Sequence, residues 1–248
     1  MNRRILTLIF AVIYSCNIFA QDATEIIKKA DEKWQGMSNY MEMKMTIVRP
    51  EYKREITFKS WSKDRNYSVT LITAPAREKG QSFLKRKNDM WTWNPNISRF
   101  IKLPTAMMSQ GWMGSDFTND DVLKESSVVT DYTHKLIGSE ILDGIDCYII
   151  EMTPTEEAAV VWEKVKKWIS KDAYDQLKSE YYDEDDELVK SDRGYDIKIM
   201  DDRAIPTRME ILPADKPGNK TIVNILKIKY NIKVKDSFFS QQNMKRLK

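Results

Sequence analysis

Ser115-Asp116 is the sequence's visible nucleophile candidate, and His134, the single histidine, is the base that acyl-transfer chemistry would require. The pair lacks the Gly-x-Ser-x-Gly frame of a strand-to-helix nucleophile elbow, and nothing nearby marks out an acid to orient His134. A turn or capping role accounts for Ser115 and Asp116 without catalysis. The acidic run at residues 183–187 could suggest calcium. It has neither the glycine nor the closing glutamate of an EF-hand loop and falls between two strand-like runs, so it reads as a solvated hairpin tip. With one histidine and two cysteines, Cys16 and Cys147, zinc clusters of the Cys/His type and HExxH sites are excluded. No catalytic, metal or cofactor site is expected, and a lipid-modifying enzyme built on Ser115 is the last of three readings.

The 13 methionines and 7 tryptophans point elsewhere. Met41, Met43 and Met45 share one face of an alternating run, and Met107, Met108, Trp112 and Met113 crowd a second segment. Methionine is flexible and polarizable, so surfaces rich in it suit ligands of variable shape, such as acyl chains. The alternative is that these side chains fill a closed barrel. A curved sheet of about eleven strands is wider than side chains comfortably fill, which favours a cavity.

The elements that must position these residues follow from the patterning. Asn2-Arg3-Arg4, an apolar run over 5–14 and Ala20 before Gln21 have the layout of a signal peptide, too short to span a bilayer. Cleavage after Ala20 is expected; the alternative is a lipoprotein anchored through Cys16. Residues 22–34 carry helical spacing at Ile26, Ile27, Ala30, Trp34 and Met37, with Gly36 near the end. After that the period becomes two, at 41–47, 55–59, 66–71, 90–94, 148–152, 165–169 and 222–232, with turn signals between. Half-buried strands of this kind build an antiparallel sheet. About eleven are expected, with no linker dividing the mature chain. Cys147, in a strand-like run, is expected to be a small buried apolar residue without a disulfide. The formal charge of +3, two of it from Arg3 and Arg4, provides no footprint for nucleic acid.

Residues 103–124 break the strand rhythm. Their apolar side chains follow neither period, and Thr118 is placed to cap a short helix through Asp121, Val122 and Leu123. The expectation is a lid that packs Met107, Met108, Trp112, Met113 and Phe117 against the sheet near Trp91, Trp93 and the Met41-Met43-Met45 face. Gly111 and Gly114 would let the backbone bend there.

Several of these stretches are similar to one family. Phe83-Leu84-Lys85 with Asp89-Met90-Trp91-Thr92-Trp93-Asn94-Pro95 resembles the strand pair of LolA-like proteins. The run from Met108 to Asp121, above all Trp112-Met113-Gly114-Ser115-Asp116-Phe117, resembles the signature of the branch of outer-membrane lipoprotein-sorting proteins. Tyr181-Tyr182-Asp183, residues 205–210 and Phe238-Phe239-Ser240-Gln241 also match that branch. The resemblance spans residues 21–248. It implies a mainly β fold: a single large antiparallel unclosed β-barrel of about eleven strands, with an N-terminal helix and a helical or irregular lid on the concave side. It also implies a periplasmic carrier that shelters the acyl chains of lipoproteins or lipids. The implied partners are an inner-membrane exporter of the resistance-nodulation type and an outer-membrane acceptor, with the carrier itself a monomer. The arginine that locks the lid in the better-known LolA carriers has no position-by-position counterpart, and Arg49 and Arg54 are the nearby candidates. The alternative function is a scaffold module that docks onto such an exporter without carrying lipid.

Overall fold

A computed structural model describes residues 22–247 apart from 88, 125–127 and 159; the expected signal peptide at 1–20, with Cys16 and Ala20, and Gln21 lie outside the described residues. The first helix, α1 (Ala23–Gln35), begins where the Asp22 carboxylate accepts the Thr24 N–H and ends where Gly36, at φ 62°, donates its N–H to Glu32 O. Both caps satisfy backbone groups that a helix end would otherwise leave open. Ile26, Ile27 and Ala30 form its buried face. Burying each isoleucine contributes about 1.5–3 kcal/mol.

Among the described residues, thirteen strands form one antiparallel sheet, slightly more than the sequence pattern suggests. The first six are β1 (Ser38–Val48), β2 (Lys53–Lys63), β3 (Tyr67–Ala74), β4 (Ser82–Arg86), β5 (Asp89–Asn94) and β6 (Arg99–Lys102). After the irregular segment come β7 (Tyr132–Leu142), β8 (Ile145–Pro154), β9 (Lys164–Ser170), β10 (Gln176–Tyr182), β11 (Leu188–Met200), β12 (Arg203–Pro213) and β13 (Lys220–Tyr230). The spatial order is β6-β5-β4-β3-β2-β1-β13-β12-β11-β10-β9-β8-β7. Strand β13 therefore joins the two meanders by pairing with β1, and β6 and β7 remain as free edges of an open barrel. The alternation read from the sequence reaches β1, β2, β3, β5, β8, β9 and β13, and the strands it misses include both edges, β6 and β7. Edge strands have the weakest requirement for it: residues 135–141 of β7 are all exposed, so neither face is marked by apolar side chains.

Register decides which side chains share a face. Met41 lies opposite Ser60, Met43 opposite Phe58 and Met45 opposite Ile56, and on the other side Met41, Met43 and Met45 meet Ile228, Ile225 and Val223. This is the inner face, which α1 and the irregular segment cover. Ile26, Ile27 and Ala30 pack there on Ile150, Met152, Val165 and Ile169. The C-terminal residues cover part of the outer face. Ser240 caps a short helix spanning Gln241–Met244. Its Met244 and the preceding Phe239 are fully buried against Val69, Leu84 and Trp93. Cys147 is buried and free, beside Trp168 and Leu177.

Candidate functional site: a cavity under a lid

Between α1, the irregular segment and the inner face lies a cavity of about 300 Å³. Met41, Met43, Met45, Phe58, Trp112 and Phe117 line it together with Met152, Met209, Val223 and Ile225. The structure thus brings together five of the residues singled out by sequence: Met41, Met43, Met45, Trp112 and Phe117. Met113 packs behind them on the Met45–Ile56–Phe58 cluster without lining the cavity. Met107 and Met108 are half-buried and stand outside the lining. Their carbonyls instead receive the Asn119 side chain and the Asp120 N–H, each at 2.9 Å. Trp91 and Trp93 lie on the outer face. Registers Ser60↔Thr70↔Phe83↔Thr92 keep one face continuous across β2–β5, and Trp91 and Trp93 pair with Leu84 and Ser82 on the other. There they join the C-terminal cluster rather than the methionines.

The lid is made of a 3-10 turn at Thr105–Met107, a second at Trp112–Gly114, and a short helix at Asn119–Lys124. Trp112 inserts edge-on between two rings, 5.6 Å from Phe58 and 5.4 Å from Phe83 between centroids. Such contacts contribute about 0.5–1.5 kcal/mol each beyond the area they bury. Met113 holds φ 54°, and Gly114 follows at φ 75°. Gly111 matters for a different reason: a Cβ there would sit 2.6 Å from Ser115 O. The helix starts with a reciprocal cap, Asp121 N–H to Thr118 Oγ1 at 3.0 Å and Thr118 N–H to the Asp121 carboxylate at 2.6 Å.

Two arginines, one just after β1 and one on β2, tie this segment to the sheet. Arg49 donates from Nη1 to Asp116 Oδ2 at 3.1 Å and from Nη2 to Gly114 O at 3.0 Å. Thr221 Oγ1 of β13 donates to the same carboxylate at 2.6 Å and accepts the Asp116 N–H at 3.0 Å. Arg54 donates from Nη1 to Met113 O at 3.0 Å and from Nη2 to Glu78 at 3.0 Å. At the other end of the lid, the Asp121 carboxylate accepts from Trp162 Nε1 at 2.8 Å and pairs with Lys190.

Ser115 serves the lid's turn. Its hydroxyl donates to Trp112 O at 2.7 Å and accepts the Phe117 N–H at 3.2 Å. His134 is occupied elsewhere, with Nε2 2.8 Å from Val128 O and Nδ1 3.3 Å from Thr24 Oγ1. Burial holds its pKa below the usual imidazole value. The acidic run at 183–187 is the β10–β11 hairpin tip, where Asp183 Oδ1 accepts the N–H groups of Asp185 and Glu187.

The cavity is not apolar throughout. Its wall includes Asp31, Arg65, Lys85, Asp120, Lys167 and Asp192 as well as Ser60, Ser62, Ser68 and Thr70. Arg65 pairs with Asp31. Lys167 Nζ donates to Gln176 Oε1 at 2.7 Å, and Tyr181 donates to Asp192 at 2.8 Å. Burial pushes the Asp31 and Asp192 carboxyls above the usual range, against the pull of Arg65 on the first and Lys167 on the second. Sequence reading passed over these groups. Lys167 offered the signal, since it shares an alternate face with Val165 and Ile169.

Comparison with known proteins gives the fold a setting. A family model described as "Uncharacterized protein" matches residues 64–246. No curated protein matches the chain. Among solved structures, a DUF1329 family protein from Desulfovibrio piger superposes with a TM-score of 0.82 at 26% identity, covering 90% of this chain and 97% of that one. A LolA superfamily protein from Nitrosomonas europaea gives 0.77 at 26% identity, covering 90% and 99%. A putative outer membrane lipoprotein-sorting protein domain from Vibrio parahaemolyticus gives 0.80 at 20% identity, covering 90% and 98%. Among the described residues, no helix is long and apolar enough to cross a membrane.

Proposed function

The chain belongs to the family whose model spans residues 64–246 and has a LolA-like open barrel, and from that premise we propose that it is a periplasmic carrier of acylated cargo. The observation that carries this reading is a cavity lined by Met41, Met43, Met45, Trp112 and Phe117 beneath a lid that arginines pin from outside the cavity. An acyl chain in water costs about 0.8 kcal/mol per CH₂, so a carrier must offer a dry surface. It must also release its cargo. Here the lid covers the apolar surface that a chain would occupy, so loading must shift the lid while Trp112 remains part of the cavity wall. The polar lock then sets how readily the lid yields.

In this proposal residues 1–20 are a signal peptide cleaved after Ala20, and residues 21–248 are the carrier. The cargo is the acyl chains of a lipoprotein or lipid, received from an inner-membrane exporter of the resistance-nodulation type and delivered to an outer-membrane acceptor. The test is native mass spectrometry of protein purified from its own periplasm, paired with uptake of a fluorescent fatty-acyl probe. Co-purifying lipid or saturable uptake supports the proposal; the absence of both overturns it. Intact mass should place the N-terminus at Gln21, whereas a diacylglyceryl group on Cys16 would make the protein membrane-anchored.

A further inference from the structure

The inner face of β1–β4 changes character along the strands. Nearest the lid lock, Met45 pairs with Ile56, and Met43 with Phe58. Next along, Met41, Ser60, Thr70 and Phe83 lie in register, followed by Asn39, Ser62, Ser68 and Lys85. The cavity therefore runs from an apolar end to a hydroxyl-bearing end. The Ser60 and Thr70 hydroxyls lie 3.3 Å apart. Those of Ser62 and Ser68 have no hydrogen-bond partner among the described residues.

A second observation comes from the lid. The Trp112 indole N–H is buried with no acceptor among the described residues, although Trp112 is only 5% exposed. An unsatisfied buried donor is costly and calls for an acceptor. Trp112 packs against Phe58 of the apolar end and Phe83, the register partner of Thr70, so this donor stands where the two ends meet. The wall carries three cations, Arg65, Lys85 and Lys167, and four carboxylates, Asp31, Asp120, Asp121 and Asp192; Lys190 behind it, paired with Asp121, brings the formal charge to zero. A cargo with a net charge would enter this wall uncompensated.

Building on the carrier reading, we propose that the cavity selects an acyl chain joined through an ester or amide to a neutral, hydroxyl-bearing head group. The chain lies against Met43 and Met45, the linking carbonyl accepts from Trp112 Nε1, and the head group meets Ser62 and Ser68. The class is that of monoacylglycerols and neutral lipopeptide ends, as against free fatty acids or bare hydrocarbon.

The experiment is displacement of a bound fluorescent fatty-acyl probe from the mature protein by three competitors of equal chain length: a monoacylglycerol, the fatty-acid anion and the alkane. The monoacylglycerol should displace at about tenfold lower concentration than either other, the effect of one net neutral hydrogen bond. That ratio should fall in Trp112→Phe, which keeps an aromatic ring but loses the N–H. It should fall separately in the double variant Ser62→Ala/Ser68→Ala, which leaves the lid intact. Equal displacement by all three, preference for the anion, or ratios unmoved in both variants overturns the inference and leaves the carrier reading standing. Failure of the wild-type protein to bind the probe at all overturns both.

Discussion

Arg49 and Asp116, 67 residues apart in sequence, meet at 3.1 Å between Nη1 and Oδ2 with both side chains largely buried. The same guanidinium reaches Gly114 O, so one residue just after β1 bonds both a side chain and the backbone of the lid. Sequence reading had Arg49 and Arg54 as candidates for a lid-locking arginine, and the structure shows each of them bonded to the lid.

Replacing Arg49 with Ala should therefore leave the Asp116 carboxylate with only Thr221 and loosen the lid. We expect a loss of about 1–3 kcal/mol, since a buried acceptor forfeits a charged partner. Amide exchange over 111–117 should accelerate and acyl-probe uptake should speed up. Stability loss without faster exchange there would show that Arg49 supports the barrel rather than the lid.

Trp112→Ala removes the ring held between Phe58 and Phe83. The expected cost is about 3–5 kcal/mol, typical of a buried Trp truncation, with acyl-probe affinity reduced. Denaturant unfolding and probe titration separate the two effects. A protein destabilised to this extent but with unchanged probe affinity is what the scaffold reading predicts.

Cargo loading should reorder the lid. The amide hydrogens of Trp112, bonded to Phe117 O at 2.7 Å, and of Ser115, bonded to Trp112 O at 3.0 Å, report on it directly. Their exchange should rise when an acyl ligand is bound. Unchanged protection over 107–117 with ligand demonstrably present contradicts a shift of the lid on loading.

His134 provides a pH test. Burial sets its folded pKa below the ordinary 6.5, so below that pH the unfolded chain binds the proton more readily. Its contribution to stability is present above about 6.5 and is lost as pH falls from there toward the lowered folded value. Asp31 and Asp192 act in the opposite direction, because their raised pKa values favour the folded state as pH falls toward 3.8. The His134 effect is isolated by comparing wild type with His134→Asn in thermal unfolding at pH 7 and pH 5. The wild type should lose more stability on acidification than the variant; equal losses would sink the assignment.

Gly111→Ala should disturb the lid without touching its lock. The added Cβ would meet Ser115 O at 2.6 Å, a backbone atom with little room to move. A cost of about 1–3 kcal/mol is expected for such overpacking, with exchange rising at the turn. A melting temperature equal to wild type would mean the turn relaxes freely.

Much of this architecture was legible in the residues. The period of two marks Met41, Met43 and Met45 as one face, and loss of any period over 103–124 marks the segment that becomes the lid. The Thr118–Asp121 cap and the use of Ser115 in a turn are local chemistry, decided by side chains within a few residues of the backbone groups they satisfy.

What sequence could not decide is which side of the sheet a face belongs to. Trp91 and Trp93 alternate as cleanly as the methionines, yet register across β2, β3, β4 and β5 carries them to the outer surface, where Phe239 and Met244 cover them. Alternation defines two faces for each strand, but only pairing and curvature say which of them encloses the cavity. The same holds for the Arg49–Asp116 lock and for the meeting of Trp112 with Phe58 and Phe83. Each joins residues distant in the chain, and chain-local patterning carries no information about contacts that exist only once the sheet has curved around α1 and the lid.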